Sequence, residues 1–313
     1  MKEKIVHTEK LFGEASYRVY SRITTESGKT YIQMQMPKGQ KMSASEEITN
    51  IRETPKELPT INIQRYLKKL GLPVPEIISF DKEAAQVVLE DLGDTKLEDI
   101  VTGAKPDTLI GWYKKAIDLL VDLQTKANAD TRCIAFARSF DATLFNWEFE
   151  HFWEWCGRTT DQQLFQQETK KITQELCRLP QGFTHRDYQS RNLMVKNDKL
   201  YMIDFQDALL GPKVYDVVCL LRDSYVDVTP RLEDLLGYYC EKSKEDLKKF
   251  RRRFDLQTVQ RKLKDAGRFV YIDKVKKNPN FLKHIPLSLD YVQQALARLP
   301  EYKELHALLQ KHS

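Results

Sequence analysis

His185-Arg186-Asp187-Tyr188-Gln189-Ser190-Arg191-Asn192, followed closely by Tyr201-Met202-Ile203-Asp204-Phe205-Gln206, is the stretch that decides how this chain is read. It sets a His-x-Asp four residues before an Asn, then an Asp-Phe at the end of a short apolar run. Asp187 is a carboxylate free to orient a hydroxyl and take its proton. The Asn192 amide and the Asp204 carboxylate are hard oxygen donors of the kind that hold Mg²⁺. The 17 positions from Asp187 to Asp204 leave room for a loop, a turn at Lys196-Asn197-Asp198 and a short strand. Phosphoryl transfer asks the protein for positioning and charge neutralisation, and this set supplies both. His185 reads as a scaffold residue of the loop.

Working towards the amino terminus, residues 17–23 and 31–36 alternate polar with apolar side chains, and Glu26-Ser27-Gly28-Lys29 between them suits a hairpin. Residues 37–59 are polar and aperiodic, as in a surface loop. A short helix over 61–70 is stopped by Gly71 and Pro73. Two further strands follow at 76–80 and 86–90. After Asp91-Leu92-Gly93-Asp94 the pattern turns helical, with Leu109, Tyr113, Ala116, Ile117 and Leu120 on one face. The aromatic run from Phe145 to Trp153 reads as a helix packed into the core, with a cofactor-binding box as the alternative. Helices also fit 161–178, 214–225, 256–271 and 288–299. The expected organisation is α+β and two-lobed: a small β-rich lobe over 1–93 and a helical lobe over 94–313 that carries the acceptor site. That order of elements, with the Asp, Asn and Asp in this sequence, is a protein kinase-like arrangement. No Gly-x-x-x-x-Gly-Lys-Ser/Thr occurs, which removes the P-loop class.

Composition narrows the setting. The 313 residues suffice for two cores, and 41% apolar with 30% charged residues is ordinary for a soluble enzyme. No apolar run approaches the roughly 20 residues that cross a bilayer, and the first residues do not read as a signal peptide. Five scattered cysteines suggest reduced thiols and a cytoplasmic setting. The net charge of +5 is uneven: from Thr229 onward 19 Lys and Arg face 11 Asp and Glu. The run Lys248-Lys249-Phe250-Arg251-Arg252-Arg253 is either a solvated helix face or an attraction for an anionic partner. No nucleic-acid module is recognisable, which ranks nucleic acid below a small anionic ligand.

The nucleotide side is less orthodox. Ser16, in Gly13-Glu14-Ala15-Ser16-Tyr17-Arg18, could cover phosphates, and Glu90 and Leu92 fall on the connector where a purine would dock. The strand where a kinase Lys should sit reads Gln33-Met34-Gln35-Met36, without a Lys, and the next helix offers no clear Glu. Phosphate neutralisation then falls to Arg18, Arg22 or Lys38.

From the 185–195 loop and Ile203-Asp204-Phe205-Gln206-Asp207-Ala208, the chain resembles the aminoglycoside phosphotransferase superfamily. Gly211-Pro212, Tyr215-Asp216, Leu220-Leu221-Arg222-Asp223 and residues 254–264 extend the likeness towards the anomeric N-acetylmuramate/N-acetylglucosamine kinases of cell-wall recycling. Gln189, where that subgroup commonly has His, and an apparent insertion at 42–58 depart from its pattern. The resemblance implies transfer of the ATP γ-phosphate, with Mg²⁺, to the anomeric hydroxyl of a free amino sugar. It suggests Gln206, Asp207, Arg222 and Gln260 as sugar contacts, although Asp207 and Arg222 could instead pair with each other. Asp216 reads as a structural cap of the loop. A kinase of another small hydroxyl compound, such as an aminoglycoside or amino alcohol, remains open. So does a nucleotide-binding scaffold without turnover.

Overall fold

The computed structural model describes residues 3–11, 18–36, 57–157 and 161–310. The expectations for Ser16, Lys38 and most of the 37–59 loop lie outside the described residues.

Five antiparallel strands form the N-terminal sheet: β1 (Ile5–Leu11), β2 (Val19–Thr25), β3 (Thr30–Gln35), β4 (Ile77–Asp81) and β5 (Gln86–Glu90), in spatial order β1-β2-β3-β5-β4. The expected hairpin closes at Gly28, whose φ of 79° no branched side chain would accept cheaply. Strand β1 goes beyond the sequence expectation. Its residues are almost all exposed, so no burial period marks it, and only its ladder to β2 makes it a strand.

Helix α1 (Pro59–Lys69) joins this sheet to the helical region. Ile61 packs with Met34 and Val87 beneath the sheet, whereas Ile63 and Leu67 belong to the main core. Asn62 fixes the helix further: its amide donates to the Arg132 carbonyl at 2.9 Å, and its oxygen accepts from the Ile134 N–H at 2.8 Å. One helix thus serves both cores and couples the sheet to the helices.

The helical region comprises α2 (Leu97–Val101), α3 (Pro106–Lys126), α4 (Ala142–Cys156), α5 (Gln162–Leu176), α6 (Val214–Leu221), α7 (Leu232–Ser243), α8 (Leu247–Lys276), α9 (Ile285–Leu296) and α10 (Lys303–Gln310). Two small antiparallel ribbons interrupt it: β6 (Gln181–Thr184) pairs with β9 (Leu209–Pro212), and β7 (Leu193–Lys196) with β8 (Lys199–Met202). The β7–β8 turn places Asn197 and Asp198 at φ 51° and 62°, the left-handed pair a two-residue hairpin needs. Of the helices, α8 departs most from its expected span of 256–271. It is 30 residues long, capped at Asp246, and buried over much of its circumference in its middle third. A helix covered on several sides carries no clean amphipathic period, so its ends could not be read from hydrophobicity.

In the basic run at the start of α8, Lys248 and Lys249 are exposed, as on a solvated helix face, while the arginines make surface ion pairs. Arg251 pairs with Glu233 at 2.7 Å, Arg252 with Glu175 and Glu301 at 2.5 and 2.8 Å, and Arg253 with Glu245 at 3.1 Å. These arginines staple α8 to α5, to α7 and to the turn before α10. Helices α4 and α8 approach closely at Gly267, where a Cβ would lie 2.6 Å from the Phe152 Cα. The glycine costs helix propensity but permits that contact.

Candidate active site

Between the sheet and the helices lies a cleft of about 640 Å³. Its floor is the 185–192 loop, which runs from β6 to β7. Arg186 has φ 75°, a left-handed conformation unfavourable for a long side chain. Asp216, on the first turn of α6, holds it there: its two carboxylate oxygens accept from the His185 N–H at 2.7 Å and the Arg186 N–H at 3.0 Å. Asp216 is thus the loop's cap, as the sequence suggested. Asp223 performs the same service further along, accepting from the Ser190 N–H at 2.8 Å and its hydroxyl at 2.6 Å. Sequence reasoning assigned Asp223 no task; only its place after the Leu-Leu-Arg run singled it out. His185 is fully buried edge-on to Tyr188, and burial pushes its pKa down to about 4, so the ring is neutral.

Asp187 is half-buried at the centre of the cleft. Arg261 of α8 donates to its Oδ1 at 2.9 Å. Burial opposes its ionisation, but the charges of Arg261, Lys264 and Arg186 prevail and hold the carboxyl well below its usual range. Asn192 donates its amide N–H to the Asp187 carbonyl at 2.9 Å, which leaves its side-chain oxygen as an acceptor. Asp204 opens onto the cleft but sits deep among protein atoms. That desolvation, with the Asp187 charge beside it, raises its carboxyl above the ordinary value, against the Gln206 hydrogen bond and the Arg18 charge. A carboxylate so placed gains by binding a cation. Asn192 and Asp204 are two hard oxygen donors, and among the described residues no cluster of three or more His, Cys, Asp or Glu side chains exists to complete a cage. Two donors fit an ion such as Mg²⁺ that keeps water and substrate phosphate for its remaining positions.

On the nucleotide side, Ile32, Met34, Leu89 and Leu92 from the sheet and connector face Met194 and Ile203 across an apolar slot. The Glu90 carboxylate is tied to Lys196 at 2.8 Å, so only its backbone is available to a purine. Arg22, one of the three candidates for phosphate, is held by Asp91 at 2.7 Å and Asp94 at 2.6 Å. Arg18 lines the cleft and is close enough to Asp204 to lower its pKa. Met34 occupies the wall of β3 where a Lys was sought.

The expected sugar contacts divide. Gln206 and Asp207 line the cleft, and the Gln206 amide donates to the Asp204 carboxylate at 2.8 Å. Arg222 and Gln260 do not line it. Arg222 is fully buried with its guanidinium 4.6 Å over the Tyr291 ring and 3.3 Å from the Thr229 hydroxyl, so the alternative pair with Asp207 does not form either. Helix α6 ends at Leu221, and the chain turns Arg222 into the core and Asp223 towards the loop. Gln260 lies beneath the cleft and donates to Glu148 at 2.6 Å. The residues that do form this end are Trp147, Glu148 and His151 from α4 and Arg261, Lys264 and Arg268 from α8. The aromatic α4 run is thus core on one side and cleft wall on the other.

The chain matches the model of the Phosphotransferase enzyme family over residues 8–270. It is 32% identical over 268 residues to the N-acetylmuramate/N-acetylglucosamine kinase of Pseudomonas aeruginosa, covering 80% of this chain and 77% of that protein. Against the Neisseria meningitidis protein of the same name the identity is 30% over 313 residues, with 95% and 87% coverage. Among solved structures, choline kinase of Streptococcus pneumoniae superposes with a TM-score of 0.64 at 17% identity, covering 96% of this chain and 95% of that one. An ADP-bound aminoglycoside phosphotransferase gives 0.62 at 16% identity, covering 92% and 93%. At those identities the structures establish a shared protein kinase-like fold.

Proposed function

Because the chain belongs to the Phosphotransferase enzyme family, we propose that it is an ATP-dependent sugar kinase acting on the anomeric hydroxyl of N-acetylmuramate or N-acetylglucosamine. The observation that carries this reading is the charge of the acceptor end. Arg186, Arg261, Lys264 and Arg268 line it beside Glu148, Asp187, Asp207 and Asp265, so its carboxylates are matched by cations and no acidic surplus favours the cationic acceptors of choline kinases and aminoglycoside phosphotransferases. The named relatives at about one-third identity support the same acceptor.

In this mechanism residues 1–93 bind the nucleotide and 94–313 the sugar. Asp187 accepts a hydrogen bond from the anomeric hydroxyl and aligns its oxygen with the γ-phosphorus. As the oxygen–phosphorus bond forms, the bond from the γ-phosphorus to the β,γ-bridging oxygen breaks and ADP departs. A carboxylate held at so low a pKa is a weak base, so Asp187 takes the proton late, once bond formation has acidified the hydroxyl, and passes it to solvent. Asn192 and Asp204 would hold Mg²⁺, which draws charge from the nucleotide phosphates. Gln206 keeps the Asp204 carboxylate oriented.

The test is an acceptor screen with labelled ATP, with ³¹P NMR to identify the product. A sugar 1-phosphate is expected, and Asp187→Asn should lower kcat by roughly 10³-fold or more. Turnover of choline or an aminoglycoside in preference to either amino sugar would overturn the acceptor assignment. An Asp187→Asn enzyme with near-normal kcat would overturn the mechanism.

A further inference from the structure

Asp204 stands in an unusual backbone state. Its φ is 62°, a left-handed conformation that is uncommon for any residue with a side chain and persists where the surrounding structure over-determines it. Before it the chain is pinned, since the Ile203 N–H donates to the Asn192 carbonyl at 3.0 Å. After it the backbone turns at Gln206 and Asp207, and the Ala208 N–H donates back to the Phe205 carbonyl at 3.0 Å. Two carbonyls of this turn, those of Gln206 and Ala208, are taken by one side chain from a distant part of the sequence. Arg138 donates from Nε to the Ala208 carbonyl at 2.9 Å and from a terminal nitrogen to the Gln206 carbonyl.

Arg138 follows the short turn Ile134–Ala137, is 2% exposed and does not line the cleft. Burying a guanidinium is costly unless its donors meet acceptors, so these bonds fix the side chain as firmly as the turn. The main chain adds to the grip. The Arg138 carbonyl accepts from the Leu210 N–H at 3.0 Å, and the Phe140 N–H donates to the Leu210 carbonyl at 2.9 Å. Residues 206, 208 and 210 are thus held by a single extended segment. A planar fork suits two carbonyls set two residues apart, whereas an ammonium would offer a point charge. A second route leads from the same grip to the carboxylate. Gln206, whose main chain Arg138 holds, is 4% exposed and donates its side-chain amide to Asp204 at 2.8 Å.

We infer that Arg138 is a positioning residue for Asp204: by clasping the Gln206 and Ala208 carbonyls it holds the turn that presents this carboxylate to the cleft. It touches no reacting atom. The inference rests on the reading of Asp204 as a metal ligand. Residues that orient a ligand from behind govern metal affinity nearly as much as the ligand does.

The experiment compares the wild type with Arg138→Lys and Arg138→Met. The first readout is Mn²⁺ affinity, taken from the EPR signal of free Mn²⁺, with ADP kept below the enzyme concentration so that the nucleotide is bound. Arg138→Met should weaken Mn²⁺ binding by about 10- to 100-fold, and Arg138→Lys, which keeps one donor, by no more than that. ADP affinity in EDTA and the acceptor KM should both stay within about threefold, while the Mg²⁺ activation constant rises. A loss of metal-free ADP affinity as large as the loss of Mn²⁺ affinity would make Arg138 a merely structural residue and overturn the inference. So would an Arg138→Met enzyme that binds Mn²⁺ as the wild type does. Failure of both variants to fold, read by circular dichroism, would assign Arg138 to the core and overturn it too. A wild type whose ADP complex binds no Mn²⁺ would instead overturn the metal-binding reading of Asp204, and this inference with it.

Discussion

The 185–192 loop and the wall made by α4 and α8 meet at Asp187, but they are built in opposite ways. The backbone of the loop is held from within 33 positions of chain, while its side chains reach further: Asp216 grips His185 and Arg186, Asp223 grips Ser190, Asn192 grips the Asp187 carbonyl, and Tyr188 and Arg191 reach the Ala116 carbonyl and Glu98. The wall is assembled from distant segments, as in the Glu148–Gln260 bond across 112 positions. In the loop, several anchors fix one backbone path, so the chemistry of transfer has little freedom. In the wall, side chains project from two regular helices that approach closely at Gly267, so the groups facing the acceptor are set by helix packing and not by a fixed loop path.

The sharpest way to break that contrast is to remove an anchor rather than a reacting group. Asp216→Ala leaves two buried N–H groups unsatisfied and releases Arg186 from its left-handed conformation. Asp187 should then drift from alignment, and kcat should fall by on the order of 10³-fold while acceptor KM changes little. A substitution on the wall should do the reverse, moving the choice of acceptor more than kcat. Retention of kcat within about tenfold in Asp216→Ala would mean that the loop keeps its path without this anchor.

Local encoding also explains what the sequence could tell. Asp187, Asn192 and Asp204 come from one continuous stretch, and their meeting in the cleft needs only a loop, a ribbon and a turn. The hairpin of β2 and β3 and the cap at Asp216 were legible for the same reason. Arg222 was misjudged because helix α6 stops at Leu221, four residues before its expected end at 225, so the chain turns Arg222 into the core. Arg261, Lys264 and Arg268 carried no signal of their own: within a long helix buried on several sides, a cation facing a cleft looks like any other. Their partner surface lies on α4, and that approach depends on Gly267, whose meaning appears only when the two helices are seen together.

Burial has a consequence for acid stability in the loop, at His185, and again in the wall, at His151, since both rings have pKa values pushed down to about 4. His185 is neutral in the fold, with its pKa pushed by burial from 6.5 down to about 4. The unfolded chain takes up a proton as pH falls through 6.5, whereas the folded protein takes one up only near 4. This contribution to stability is complete above pH 6.5, is lost progressively between 6.5 and 4, and is constant below. The whole gap is worth about 3 kcal/mol, of which roughly 2 is lost by pH 5. Between pH 7.5 and 5, the Tm of His185→Phe should therefore fall less, relative to its own value at pH 7.5, than that of the wild type. An unchanged slope would place the acid sensitivity elsewhere.

The smallest expected effect tests the phosphate side of the nucleotide slot. With Met34 on β3 and Arg22 engaged by Asp91 and Asp94, Arg18 is the described cation on the sheet that both faces the cleft and senses Asp204. It also reaches the Tyr20 hydroxyl, so its position is braced from the start of β2. A single guanidinium on a phosphate contributes on the order of one charge-assisted hydrogen bond, so Arg18→Ala should raise the ATP KM by about tenfold. The sugar KM should stay as it is, since the wall is untouched, and Tm should move little because the residue is only half-buried. Arg18→Lys should recover part of the loss, as a point charge without the planar fork. If the ATP KM does not change, phosphate charge is met from elsewhere, and the nucleotide lobe depends less on side chains than the loop does.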